Sequence, residues 1–246
     1  MTLRLLTYNI RRGGDGREAA IAEVIAQAAP DVVMLQEATH PGVVEAIART
    51  LGMTVCASRL GVSVGFLSRV PVRTFRWVHS RWARHGVLEL VLEPNGFTVI
   101  GVHLSAIHSN LTERRRLLEL KMLLAHVSTG GARHVLAGDF NTLAPGELLD
   151  LSRLPARLRA IAWLTGRRIR WQTIQRMLDS GYVDAYRQTG PELPGYTFPT
   201  WDPHLRLDYV FLPSALASGV VSCGPVTVPA AREASDHFPL FAELAM

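Results

Sequence analysis

The chain has 246 residues, 48% hydrophobic and 19% charged, with a formal net charge of +5. This composition supplies a substantial core and excludes a disordered chain; with no linker-like stretch, we expect one domain over 1–246. The excess positive charge is local. Between Leu151 and Arg176 there are seven arginines and no acid, so the rest of the chain is slightly acidic.

In chain order, Leu3–Asn9 enters a strand pattern directly, with no charged n-region or apolar h-region ahead of it, which reads as cytoplasmic. Asp15 and Glu18 have the spacing of a capping pair. Ile21, Val24, Ile25 and Ala28 then recur at helical period, predicting a helix to about Ala29 that Pro30-Asp31 stops. Val32–Glu37 is a buried strand with a carboxylate at its mouth. Pro41 opens a second helix, whose apolar face is Val44, Ile47, Ala48 and Leu51 and whose stop is Gly52. Short apolar runs near 54–58, 62–68, 72–78, 86–92 and 97–104 predict strands, the last ending Val102-His103-Leu104. Asn110 and Glu113 resemble a capping box ahead of a helix lined by Leu117, Leu120, Leu124 and Val127.

Val135-Leu136-Ala137-Gly138-Asp139-Phe140-Asn141 is an apolar strand that delivers two polar side chains two residues apart, hence on one face. An Asx turn closing the strand is the plain alternative. The arginine-rich stretch, about 151–178, reads as two basic helices around Gly166, with Trp163 and Trp171 interleaved. It is a solvated face, a phosphate-contacting wall or an anionic membrane-surface element. Strands return at 205–212, near 219–228 and at 238–244. Helices before and after blocks of strands predict an α+β fold of two packed sheets with helices outside.

Cys56 and Cys223 lack metal-ligand spacing and read as free thiols. The longest uncharged stretch, 211–231, is broken by three prolines and two glycines, which argues against a membrane span. Neither a Gly-x-Ser-x-Gly elbow nor a Gly-Lys-Ser/Thr phosphate loop is present, which disfavours a serine hydrolase and a nucleotide kinase.

Polar groups recur at strand ends: Asn9, Glu37, His103, Asp139 with Asn141, Asp208, and Asp236-His237. A buried charge costs several kcal/mol unless paired or metal-bound, so such placements point to one shared site. The set is rich in oxygen donors, which suits magnesium or manganese better than zinc. A divalent ion with a phosphate oxyanion explains carboxylates and amides together, and the chemistry is phosphate-ester hydrolysis by in-line water attack.

Thr7-Tyr8-Asn9-Ile10-Arg11, Leu35-Gln36-Glu37, Gly101-Val102-His103-Leu104, Gly138-Asp139-Phe140-Asn141, Arg206-Leu207-Asp208-Tyr209 and Ser235-Asp236-His237-Phe238-Pro239 occur in this order. Together they resemble the endonuclease/exonuclease/phosphatase superfamily from Thr7 to Pro239. The resemblance implies a four-layer αββα sandwich of two mixed β-sheets flanked by helices, with the site at one edge of the sheets. It implies Glu37 as principal metal ligand, helped by Asn9 and Asp236. Asp139 would orient or deprotonate water, and Asn141 would hold the phosphate. His237, oriented by Asp208, would stabilise developing charge, and His103 would be a second phosphate-side donor or leaving-group acid. Asn9-Ile10-Arg11 departs from the Asn-x-Asp pattern of apurinic-site nucleases, which also carry a tyrosine where His103 falls, and this argues against abasic-site repair.

Arg11, Arg167, Arg168 and Trp201 are candidate substrate contacts. The expected activity is a magnesium-dependent phosphodiesterase, foremost a nuclease. A sphingomyelinase-like phospholipase, a phosphomonoesterase and an inactive binding protein are the competing readings. The expected partner is nucleic acid or another phosphate ester, and no obligate protein partner is implied.

Overall fold

The computed structural model describes residues 2–78, 85–107, 109–127, 133–153, 156, 159–160 and 171–246. Twelve strands among them form two six-stranded mixed sheets. In the first, the spatial order is β11 (Val220–Pro225), β12 (Leu240–Ala245), β1 (Thr2–Asn9), β2 (Val32–Gln36), β4 (Gly65–Ser68), β3 (Val55–Ala57). In the second it is β5 (Val72–Val78), β6 (Val87–Leu92), β7 (Thr98–His103), β8 (His134–Asp139), β10 (Asp208–Pro213), β9 (Tyr182–Asp184). Two parallel pairs sit at equivalent places, β1 with β2 and β7 with β8.

Strand periodicity sorts the side chains into layers. Leu3, Leu5, Val32, Met34, Val99, Val135, Ala137 and Val210 fill the space between the sheets. The alternate residues Leu6, Tyr8, Val33 and Leu35 face outward, onto α1 (Glu18–Ala28) and α2 (Pro41–Leu51). On the second sheet Ile100, Leu136, Tyr209 and Phe211 face outward, onto α3 (Asn110–Val127) and α4 (Thr173–Asp179). The result is the expected four-layer αββα sandwich. Each large apolar side chain so buried contributes about 1.5–3 kcal/mol. Gly138 is fixed by the parallel pairing, because a Cβ there would lie 1.9 Å from the Val102 carbonyl oxygen of β7.

Helix starts differ from the sequence reading. Asp15 does not cap α1: it pairs with His40 at 2.7 Å, and Arg17 precedes the helix without a side-chain cap. The α3 start is held by Ser109 and Thr112, whose hydroxyls reciprocally accept from Thr112 N–H and Ser109 N–H. Glu113 is instead buried at 2% exposure. Its carboxylate takes Arg116, Thr142 and Thr173 side chains and the Gln172 and Thr173 backbone N–H groups. Asx and Glu spacing alone did not separate a surface cap from a buried anchor. Short β9 and the single-turn helix α5 (Ala185–Gln188) had no periodicity long enough to read. The final strand begins at Leu240, two residues after the expected 238.

Of the arginine-rich stretch, a turn at Leu151–Arg153 and α4 fall among the described residues. Of the two helices expected around Gly166, residues 156 and 159–160 and the α4 residues are helical, while Trp163, Gly166, Arg167 and Arg168 lie outside the described residues. No helix among the described residues is long and apolar enough to cross a membrane.

Candidate active site

The inter-sheet layer is apolar along most of its length and turns polar at one edge. Continuing the inward-facing parity along β1, β7, β8 and β10 reaches Asn9, His103, Asp139 and Asp208 in turn. His103 pairs in register with Asp139, and Asp139 with Asp208. The sheets therefore present their polar strand ends to each other, and Asn9 Nδ2 donates across the gap to Asp139 Oδ2 at 3.0 Å. Glu37 follows β2 and Asp236-His237 precedes β12. Asn9, Glu37, His103, Asp139, Asn141, Asp236 and His237 all line one cavity of about 420 Å³, rimmed by Ile107, Phe198 and Trp201.

Asp139 is 1% exposed, and Nε2 of His103 and Nε2 of His237 each lie 3.8 Å from its Oδ2. Burial pushes its carboxyl up to about 7; the facing His237 and hydrogen bonds from Asn9 and Asn141 oppose the rise, and Asp208 adds to it. His237 Nδ1 donates to Asp208 Oδ2 at 2.8 Å. Burial disfavours the imidazolium, but Asp208 and Asp139 outweigh burial and raise His237 to about 10. The two carboxyl groups that flank His237, Asp208 and Asp139, thus both favour its charged form. Asp208 Oδ1 is buried and has no hydrogen-bond partner among the described residues.

Asn141 combines both readings of its motif. It has φ +54°, its N–H donates to Asp139 Oδ1 at 2.8 Å in an Asx turn, and its Nδ2 donates to the Leu104 carbonyl at 3.1 Å. It therefore lies beyond the end of β8 rather than on the strand face. Glu37 also has positive φ, +56°. Its carboxylate accepts from Arg12 N–H at 2.5 Å and Asn9 Nδ2 at 3.3 Å. Non-glycine residues in this region are costly and concentrate at functional sites.

Arg11, also at positive φ, places Nε 3.4 Å from Asp236 Oδ2 and keeps 44% of its side chain exposed. Trp201 is 62% exposed on the cavity rim, edge-on to Phe198, whose ring in turn packs 4.8 Å from His237. Arg153, of the arginine-rich stretch, and Asp202 and His204, which the sequence reading left unassigned, also line the cavity. They carry no strand-end signature. Arg206, between the cavity-lining Leu205 and Leu207, is 0% exposed and bound to Asp184 at 2.6 Å and Glu147 at 2.8 Å.

Among the described residues, Asp139, Asp208 and His237 form a group whose potential ligand atoms lie within 4.8 Å of one another. Within that group the Nδ1–H of His237 is already committed to Asp208. Glu37 and Asp236, outside that group, add two more carboxylates on the same cavity. This oxygen-rich set, with Asn9 ordering Glu37 and Asp139 through its amide, fits a hard divalent cation.

The match to the model of the endonuclease/exonuclease/phosphatase family extends over residues 6–237. No curated protein sequence matches the chain. Among solved structures, an AP endonuclease from Archaeoglobus fulgidus aligns with TM-score 0.74 and 19% identity, covering 99% of this chain and 100% of that one. A 3' phosphatase, NExo, from Neisseria bound to a product DNA hairpin aligns with TM-score 0.73 and 19% identity over 99% and 100%. TDP2 from D. rerio complexed with single-strand DNA product aligns with TM-score 0.69 and 20% identity over 100% and 99%. These likenesses describe the fold. With the family match across nearly the whole chain and the strand-end carboxylates and histidines gathered at one sheet edge, the chain belongs to the endonuclease/exonuclease/phosphatase family of metal-dependent phosphodiesterases and nucleases.

Proposed function

We propose that this protein is a magnesium-dependent phosphodiesterase that hydrolyses nucleic acid by in-line attack of water. The observation that carries the reading is Asp139, buried between Nε2 atoms of His103 and His237 at equal distance. Asp139 is the group that orients and deprotonates the water; a carboxyl lifted to about 7 is a stronger base than an exposed one. His237, charged and oriented by Asp208, donates to a phosphate oxygen and offsets the charge that develops on it. His103 is the second donor, and Asn141 holds the phosphate with its side-chain amide. Glu37, Asp236 and Asn9 are the residues that would hold magnesium, with manganese as a substitute. A bound cation supplies Lewis-acid stabilisation of the phosphoryl oxygens.

Nucleic acid is favoured over other phosphate esters by the exposed Trp201 beside the cavity and by the half-exposed Arg11 against the cavity-lining Asp236. An aromatic face stacks bases and a guanidinium holds phosphate. Two solved neighbours carry DNA products, which supports the same choice. The test is product release from single- and double-stranded DNA, RNA, sphingomyelin, inositol phosphates and bis-p-nitrophenyl phosphate, with magnesium, manganese or chelator. Chelator-sensitive cleavage of nucleic acid is expected. Turnover confined to a lipid or a small ester would replace the substrate, and no turnover of any member would overturn the enzymatic reading.

A further inference from the structure

His103 and His237 face Asp139 symmetrically but differ on their far side. His237 Nδ1 meets a carboxylate, which only accepts hydrogen bonds, so that nitrogen carries a proton. His103 Nδ1 meets a hydroxyl, Ser63 Oγ, at 2.5 Å. Ser63 is 4% exposed, in the loop before β4, and its Oγ also accepts from Glu37 N–H at 3.1 Å. A hydroxyl has one hydrogen to donate. With the Glu37 N–H pointing at the oxygen, the hydroxyl hydrogen is used when it is given to His103 Nδ1, which must then be unprotonated. The neutral ring then carries its proton on Nε2, the nitrogen facing Asp139 and the cavity. The His85 ring stacks on His103 at 4.3 Å between centroids and 2° between planes, so the imidazole plane is fixed as well.

We infer that Ser63 is a positioning residue that sets His103 as an Nε2–H donor toward the bound phosphate and ties that setting to the backbone of Glu37. One serine thereby links a cation-binding carboxylate from the first sheet to a phosphate-side donor from the second. It also separates the two histidines by what their Nδ1 atoms do: that of His237 donates to a carboxylate, and that of His103 accepts from a hydroxyl. This inference rests on the hydrolase reading for its catalytic consequence, but not for the tautomer.

Two measurements test it. Histidine side-chain 15N NMR of the metal-free protein should show His103 protonated on Nε2 and bare on Nδ1. Ser63→Ala should move the ring toward the Nδ1–H tautomer. A wild-type ring protonated on Nδ1, or a tautomer unchanged in Ser63→Ala, overturns the proposal whether or not any substrate is found. In turnover, Ser63→Ala should lower kcat by about 10–100-fold, the range for partners that orient active-site ligands, with KM changed less. In a His103→Gln background the same substitution should cost less than threefold. Equal losses in both backgrounds would mean that Ser63 acts only through general structure.

Discussion

Two buried polar clusters lie under the second sheet and at its edge, and they are finished differently. Around Glu113, on α3, the carboxylate receives the Arg116 guanidinium, two hydroxyls and two backbone N–H groups. Burial alone would raise its proton affinity; Arg116 and these hydrogen bonds overcome it and hold the carboxyl below its ordinary value. Around Asp139 the outcome is reversed. Burial and a second carboxylate leave it raised to about 7, and one oxygen of Asp208 has no partner among the described residues. A buried carboxylate surrounded by donors is held charged and stabilises a particular packing, whereas one whose burial is not offset is held ready for a ligand, a proton or a water.

The largest effects should separate the two clusters. Glu37→Gln should abolish hydrolysis of the best substrate while leaving the thermal unfolding midpoint nearly unchanged; activity near the wild-type rate would remove Glu37 from the cation site. Asp139→Asn should lower kcat by about 10²–10⁴-fold, the range for a general base. His237→Ala should cost about 10²–10³-fold, as for a lost donor to a developing oxyanion. Both losses should come without reduced stability in chemical denaturation. Glu113→Ala should do the opposite. Leaving Arg116 buried and uncompensated should cost about 3–5 kcal/mol of stability, with kcat per folded molecule preserved. A Glu113 variant that is stable but inactive would erase the distinction.

Acid should act on the Glu113 cluster in a defined direction. Its folded-state proton affinity is depressed, so its stabilisation is complete above the unfolded value near 4.5 and is lost as pH falls through the lower folded value. Urea unfolding between pH 6 and pH 3 should show this loss in the wild type and a shallower one in Glu113→Gln. The smallest effect concerns Trp201. Because it is exposed on the rim, Trp201→Ala should raise KM for an oligonucleotide by about tenfold, the low end for base stacking, and leave bis-p-nitrophenyl phosphate hydrolysis unaltered.

Much of the architecture could be read in the chain because it depends on local periodicity. The α1 and α2 faces, the left-handed stop at Gly52 and the strands through Val32–Gln36 and Thr98–His103 follow from spacing within a few residues. The strand-end residues were visible for the same reason: Asn9, Glu37, His103, Asp139, Asp208 and His237 interrupt apolar runs where charge has no local justification. Sequence by itself thus determined the layers, the family and the set of polar groups that needed a common explanation.

The partners of those groups were decided by the tertiary structure. Ser63 and His103 are 40 residues apart, and Asn9 and Asp139 are 130 apart; no period links either pair. Glu113 had the spacing of a surface cap, and its burial depends on α4 arriving over it. Asn141 was expected on the strand face and instead turns through positive φ beyond it. Local sequence fixes which way a side chain leaves its own strand. Which charge, hydroxyl or ring it then meets depends on the packing of two sheets from distant parts of the chain, and those meetings set the proton affinities from which the chemistry follows.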